Sequence, residues 1–178
     1  MTFHIVNTIL YKKRSLLDNK SMKRRNRRIR IALVAFTLLF IWGNSLLPAS
    51  LSGQESEWVR ELLEPILSRL QGMLFGPGPE VDPSMLVRKL AHFCEYMLLG
   101  FLVGLMLERP EGKTRFFPAE GICLAAACVD EGIQHFVPGR GPGLKDVLLD
   151  FSGATVGVCL AMVVICLAWL WKNRKQIG

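Results

Sequence analysis

The sequence predicts an all-α membrane protein: a four-transmembrane-helix bundle with N- and C-termini cytoplasmic and an extracytoplasmic amphipathic helix between the first and second spans. Three observations lead there. Half of the 178 residues (51%) are hydrophobic, more than an ordinary soluble domain of this length carries. Those residues gather into four runs, each about the 20 residues needed to cross a hydrocarbon layer. The basic charge sits at the two ends. Residues 1–30 hold ten Lys/Arg against one Asp, and Lys172, Arg174 and Lys175 follow the last run. Between these ends lie nine Lys/Arg and fourteen Asp/Glu, so the net charge of +7 describes no single region. A nucleic-acid binder would spread its basic residues over a face and interleave aromatic ones, so no nucleic-acid partner is expected. The expected partner is the lipid bilayer, and the expected place is the cell membrane, crossed several times.

In chain order, residues 1–30 form a basic cytoplasmic segment in which little regular structure is expected. Met22 opens MKRRNRRIRIALV, itself a natural start for a short basic leader, so residues 1–21 read as an upstream extension or an arm lying on the membrane surface. The membrane domain covers 31–171. Its first span is 31–47, IALVAFTLLFIWGNSLL, ended by Pro48 and read as a retained helix and not a cleaved signal. Residues 56–76 follow as an amphipathic helix, with Trp58, Leu62, Ile66, Leu70, Met73 and Leu74 on one stripe and Pro65 bending it. PGPEVDP is a stiff connector into the second span, 85–107. The third span, 117–136, is the weakest by hydropathy because it contains CVDEGIQH. The fourth, 147–171, ends on Trp-Leu-Trp before the basic tail, 172–178. The five cysteines lie in apolar segments without a CxxC pair and read as small buried hydrophobes.

Orientation follows from the Lys/Arg distribution. The N-terminal segment, the loop 108–116 (ERPEGKTRF) and the tail are basic and belong on the cytoplasmic side. The loop 48–84 has two Arg against six Asp/Glu, and it belongs outside with the short 137–146 loop.

That topology puts polar residues of three spans at one depth, near the outer surface. Lys89, His92, Glu95 and Tyr96 lie in the outer half of the second span. Asp130 with Gln134, and Glu131 with His135, are two i, i+4 pairs at the outer end of the third. At about 1.5 Å per residue, Asp130 sits roughly 9 Å below that end. Asp146 and Asp150 open the fourth span. Charges at such depth turn inward and pair. Lys89 and Arg88 are expected opposite Asp130, Glu131 or Asp150, and Arg140, in a tight VPGRGPG turn, either opposite Asp146 or awaiting an anionic ligand. Gly100 and Gly104, and Gly153 and Gly157, are small-xxx-small pairs expected to serve helix packing.

VRKLAHFCEYMLLGFLVGL followed by DEGIQHFVPGRGPGLKDVLLDFSGATVG resembles the VanZ-like family of bacterial membrane proteins. That family combines K-x-x-H-F-x-E-Y on one helix with D-E-x-x-Q, a P-G-R turn, an Asp and a glycine-bearing helix. The matching positions are Lys89, His92, Phe93, Glu95, Tyr96, Asp130, Glu131, Gln134, Pro138, Gly139, Arg140, Asp146, Asp150 and Gly153, and the resemblance runs over about 31–164. It implies a place in the bacterial cell envelope and an association with teicoplanin-type antibiotic resistance, without naming a reaction.

Two functions compete. In the first, Lys89, His92, Glu95, Tyr96, Asp130, Glu131, Gln134, Arg140, Asp146 and Asp150 line an outward-facing polar site that binds a lipoglycopeptide or cell-wall precursor, with no cofactor or metal required. In the second, His92, Glu95, Asp130 and Glu131 perform acid–base or metal-assisted chemistry on a lipid-linked substrate. No HExxH or GxSxG accompanies them, so no catalytic residue is assigned. The bland alternative is an ion-pair network that only holds four helices in register. Neither the ligand nor the oligomeric state is written in the sequence.

Overall fold

The structure, a computed structural model, describes residues 2–48, 61, 65, 83–109, 112–138 and 143–177. It contains four long helices: α1 (Thr2–Ser45), α2 (Pro83–Met106), α3 (Phe116–His135) and α4 (Leu144–Ile177). Their interiors follow the apolar runs closely, and their ends follow local chemistry. Pro48 stands just beyond α1. Pro83 opens α2, where its fixed φ suits the first helical position. Pro118 is tolerated in the first turn of α3, whose N–H groups have no intrahelical acceptor. The carbonyl of Gly143 accepts from Asp146 N and Val147 N and so starts α4.

Two boundaries differ from expectation. The helix does not begin near residue 31 but runs unbroken from Thr2. No Gly or Pro occurs before Gly43, and the Lys, Arg and Leu that fill the segment are good helix formers. At the other end, α4 carries its helical backbone through the basic tail to Ile177. The 56–76 amphipathic segment, the PGPEVDP connector and Arg140 lie outside the described residues, apart from Glu61 and Pro65, which are helical and exposed.

Between α2 and α3 the chain forms a small antiparallel ribbon of β1 (Glu108–Arg109) and β2 (Lys113–Thr114), with Glu108 opposite Thr114 and Arg109 opposite Lys113. Gly112, at φ +69°, closes its turn. A Cβ there would meet Trp169 of α4 at 2.6 Å, so position 112 is restricted both by conformation and by space.

Among the described residues, three segments can cross a membrane by length and composition: Arg24–Ser45, Val87–Met106 and Leu144–Arg174. Four were expected. α3 is 20 residues long but carries Glu120, Asp130 and Glu131. Its charges face inward, since all three are buried, while Ile122, Leu124, Val129 and Phe136 are exposed on its other side.

α2 and α4 form the most extensive interface. Their backbones meet at glycines. A Cβ on Gly100 would fall on the Ala154 carbonyl, one on Gly104 would stand 2.6 Å from Ala161 Cβ, one on Gly153 would strike the Phe93 carbonyl, and one on Gly157 would stand 2.7 Å from Phe101 N. The core around this seam holds Ile41, Tyr96, Leu99, Val103, Cys123, Ala127, Ala154 and Val158. Of the cysteines, which were expected to be buried, only Cys123 is; Cys94, Cys128, Cys159 and Cys166 lie exposed on helix surfaces, and all five are free thiols.

The two ends of the bundle differ chemically. At one end Arg30 of α1 donates to the Leu105 carbonyl and pairs with Glu108 at 2.6 Å, and Gly112 packs on Trp169. The basic end of α1, the ribbon and the C-terminal part of α4 therefore share that end. The other end gathers Asn44, Glu95, Gln134 and Asp146.

Candidate functional site

At that second end, polar side chains from all four helices are stacked in layers. The outermost joins α2 to α4: Lys89 Nζ stands 2.6 Å from Asp146 Oδ1, both side chains being about one-third to two-fifths exposed (42% and 34%). Glu131 of α3 lies beside it and accepts from Gly143 N at 3.0 Å, a carboxylate at the N-terminus of α4 where the helix dipole favours it. Arg88 and Asp146 lie within electrostatic reach of Glu131.

One turn deeper, His92, Asp130 and Asp150 come from three different helices. Each offers one ligand atom, and the three atoms lie within 4.8 Å of one another. His92 Nδ1 is 3.9 Å from Asp130 Oδ2 and 3.8 Å from Glu95 Oε2. The side chain of Asp130 is fully buried and that of Asp150 nearly so. Asp130 Oδ2 accepts from Gln134 Nε2 at 2.9 Å, whereas Asp130 Oδ1 and Glu131 Oε1 are buried without a hydrogen-bond donor among the described residues. Below this layer Tyr96 is fully buried, and its hydroxyl donates to the Ala126 carbonyl at 3.2 Å.

Several residues meet partners other than those expected. Lys89 reaches Asp146 and not Asp130, Glu131 or Asp150, because α2 and α4 touch at the glycine seam and bring positions 89 and 146 face to face. An exposed pair of this kind contributes at most about 1 kcal/mol. His135, expected beside Glu131, is exposed and packs edge-on against Phe136 at 5.3 Å. The helix turns it away while Asp130, Glu131 and Gln134 face inward. Tyr96 acts as a clasp between α2 and α3, sharing the Ala126 carbonyl with Trp42 Nε1 at 3.5 Å.

Three further polar residues are not among those the motifs point to. Asn44 Nδ2 donates to Glu95 Oε1 at 3.0 Å, and Ser45 Oγ accepts from Gln134 Nε2 at 3.4 Å, so α1 supplies a wall of the cluster. A signal for both exists in the sequence: GNS is a polar patch at the end of the first apolar run, at the depth of the others. Glu120 is the third. It is buried far from the cluster on the same stripe of α3, and its Oε2 accepts from Thr155 Oγ1 at 2.8 Å.

The cluster is therefore rich in acceptors: Glu95, Asp130, Glu131 and Asp150 crowd one end of the bundle, and the ammonium of Lys89 is taken by Asp146. A cavity of about 550 Å³ opens at the opposite, basic end, among Arg27, Arg30, Arg109 and Arg115.

A family model described as VanZ/LLP1 matches residues 6–167. No curated protein and no solved structure matches the chain. The family match reaches further than the 31–164 expected from the motifs, taking in most of the N-terminal segment. It includes every residue of the polar layers and the whole glycine seam. On that extent the chain belongs to the VanZ/LLP1 family of membrane proteins.

Proposed function

We propose that this protein crosses the membrane four times with both termini cytoplasmic, and that its polar cluster opens on the extracytoplasmic face to bind an amphiphilic envelope molecule, a lipoglycopeptide of the teicoplanin type or a cell-wall precursor. α3 as the fourth span is supported by its 20-residue length, its buried carboxylates and its exposed apolar side. A helix that hides its charges from lipid can cross despite a modest mean hydropathy. The orientation is supported by the basic end, which gathers Arg27, Arg30, Arg109 and Arg115.

One observation carries the binding reading: polarity is graded from a half-exposed rim, Lys89 and Asp146, to a buried floor, Asp130 and Asp150. The rim presents both signs of charge to a headgroup, while the apolar helix surfaces hold the lipid tail. A purely structural brace has no need of such an entrance. The test is direct binding of a lipoglycopeptide, and of an undecaprenyl-linked precursor, to protein reconstituted in nanodiscs. Lys89→Ala and Glu131→Gln should weaken binding about tenfold or more and restore susceptibility in cells. Unchanged affinity and susceptibility in correctly inserted variants would overturn the reading.

A further inference from the structure

We propose that His92, Asp130 and Asp150 hold one divalent transition-metal ion, Zn²⁺ or Mn²⁺, in the buried floor of the cluster. The donor set is one imidazole nitrogen and two carboxylate oxygens from α2, α3 and α4, all within 4.8 Å of one another. Two ligands about 2.0–2.2 Å from a tetrahedral ion stand roughly 3.3–3.6 Å apart. His92 Nδ1 and Asp130 Oδ2, 3.9 Å apart, are a few tenths of an ångström from that separation, and the full set, within 4.8 Å, closes onto a metal with side-chain adjustments of up to about 1.5 Å.

An independent observation points the same way. Asp130 is completely buried, yet its Oδ1 has no hydrogen-bond donor among the described residues. A buried carboxylate oxygen without a donor is costly, and a bound cation is one partner that satisfies it. The surroundings deepen the need. Asp150 lies within electrostatic reach of Asp130, Glu131, Asp146 and Glu95, a concentration of like charge that a divalent cation offsets.

The neighbours also resemble the outer shell of a metal site. Gln134 donates to Asp130 Oδ2 and is held in turn by Ser45. Glu95, held by Asn44, stands 3.8 Å from the same His92 Nδ1 and so borders the ligand position itself. Metal ligands are oriented by such partners. The mixed nitrogen and oxygen set favours Zn²⁺ or Mn²⁺ over Mg²⁺ or Ca²⁺, which prefer oxygen alone. Three protein ligands leave a tetrahedral ion one open coordination position. The inference shares the proposed binding cluster but does not depend on the identity of its ligand.

The test uses full-length protein in nanodiscs, stripped with chelator and titrated separately with Zn²⁺, Mn²⁺ and Co²⁺. Expected are about one equivalent of tightly held metal and Co²⁺ absorption bands of a low-coordinate site. Asp130→Asn, Asp150→Asn and His92→Gln should each lower affinity by about tenfold or more, since even outer-shell changes cost roughly 10–100-fold. His135→Ala, in an exposed imidazole, should leave stoichiometry unchanged. Less than about a tenth of an equivalent in the wild type, or unaltered affinity in Asp130→Asn, would overturn the proposal. Where a variant does not fold, pulsed electron paramagnetic resonance of Mn²⁺ in the wild type decides. Nitrogen coupling from one imidazole supports the site, and its absence sinks it. Absent metal with lipoglycopeptide binding intact would reject this inference alone, whereas metal bound with no envelope ligand would reject only the binding reading.

Discussion

At Asp130 the bundle accepts an unusual burden: a fully buried carboxylate that, among the described residues, has one side-chain donor, Gln134, and one oxygen without a donor. Its neighbours divide into residues whose bonds are replaceable and residues whose bonds are not. Tyr96 is replaceable in part. Its hydroxyl donates to Ala126 O, which Trp42 also reaches, so Tyr96→Phe leaves no orphaned carbonyl. It should lower unfolding free energy in mixed detergent by about 0.5–1.5 kcal/mol, the usual net value of one hydrogen bond. Gln134→Leu is different, because it strips Asp130 Oδ2 of its donor and removes the partner of Ser45. A loss of about 1–3 kcal/mol is expected, the cost of a buried polar group left unmade. Equal effects from the two variants would mean that the cluster is wetter than its burial implies. The i, i+4 contact of Asp130 with Gln134 is directly legible in CVDEGIQH. The position of His135 is not, since inward or outward depends on how α3 is rotated against its neighbours.

Between elements, the α2–α4 seam fixes the register that stacks the polar layers. Gly157 faces Met97 O and Phe101 N, and Gly153 faces Phe93 O, so the seam continues inward from the Lys89–Asp146 and His92–Asp150 positions. Gly157→Ala must push the two backbones apart. It should destabilise the fold by about 1–3 kcal/mol, as overpacking commonly does. At Gly132, on α3, an added methyl would have nothing within 4 Å, and Gly132→Ala should shift stability by less than about 1 kcal/mol. Thermal unfolding of the two variants in one detergent checks the contrast. The paired glycines are readable from their four-residue spacing. Their partners are not: Lys89 meets Asp146 because the seam sets a particular rotation, which no spacing within one helix encodes. The ends of α1 and α4 escape a reading by polarity for a related reason. Charge and polarity argue for solvent, but helix propensity acts on the backbone whatever the side chains carry.

Over the whole molecule, chemistry is polarised along the helix axes. One end is lined by Arg27, Arg30, Arg109 and Arg115, and the other by buried carboxylates with a mixed-charge rim. On the proposed four-span topology these ends lie on opposite sides of the bilayer, with the basic end inside; three spans cannot also put Lys113 and Lys172 on one side of the membrane with Pro138 on the other. The distinction can be read chemically. Each of the five cysteines is a free thiol and four are exposed, so replacing them disturbs little packing, Cys123→Ala being the one buried change. In that background Pro138→Cys should react with a membrane-impermeant maleimide in intact cells. Lys113→Cys, in the ribbon, should react only after permeabilisation. Pro138 and Lys113 are both exposed and lie beyond opposite ends of α3, so accessibility there depends on topology and not on burial. Labelling of both from the same side would mean that α3 does not cross. The cluster at Asp130 would then lose its membrane setting, and with it the reason for an outward-facing rim.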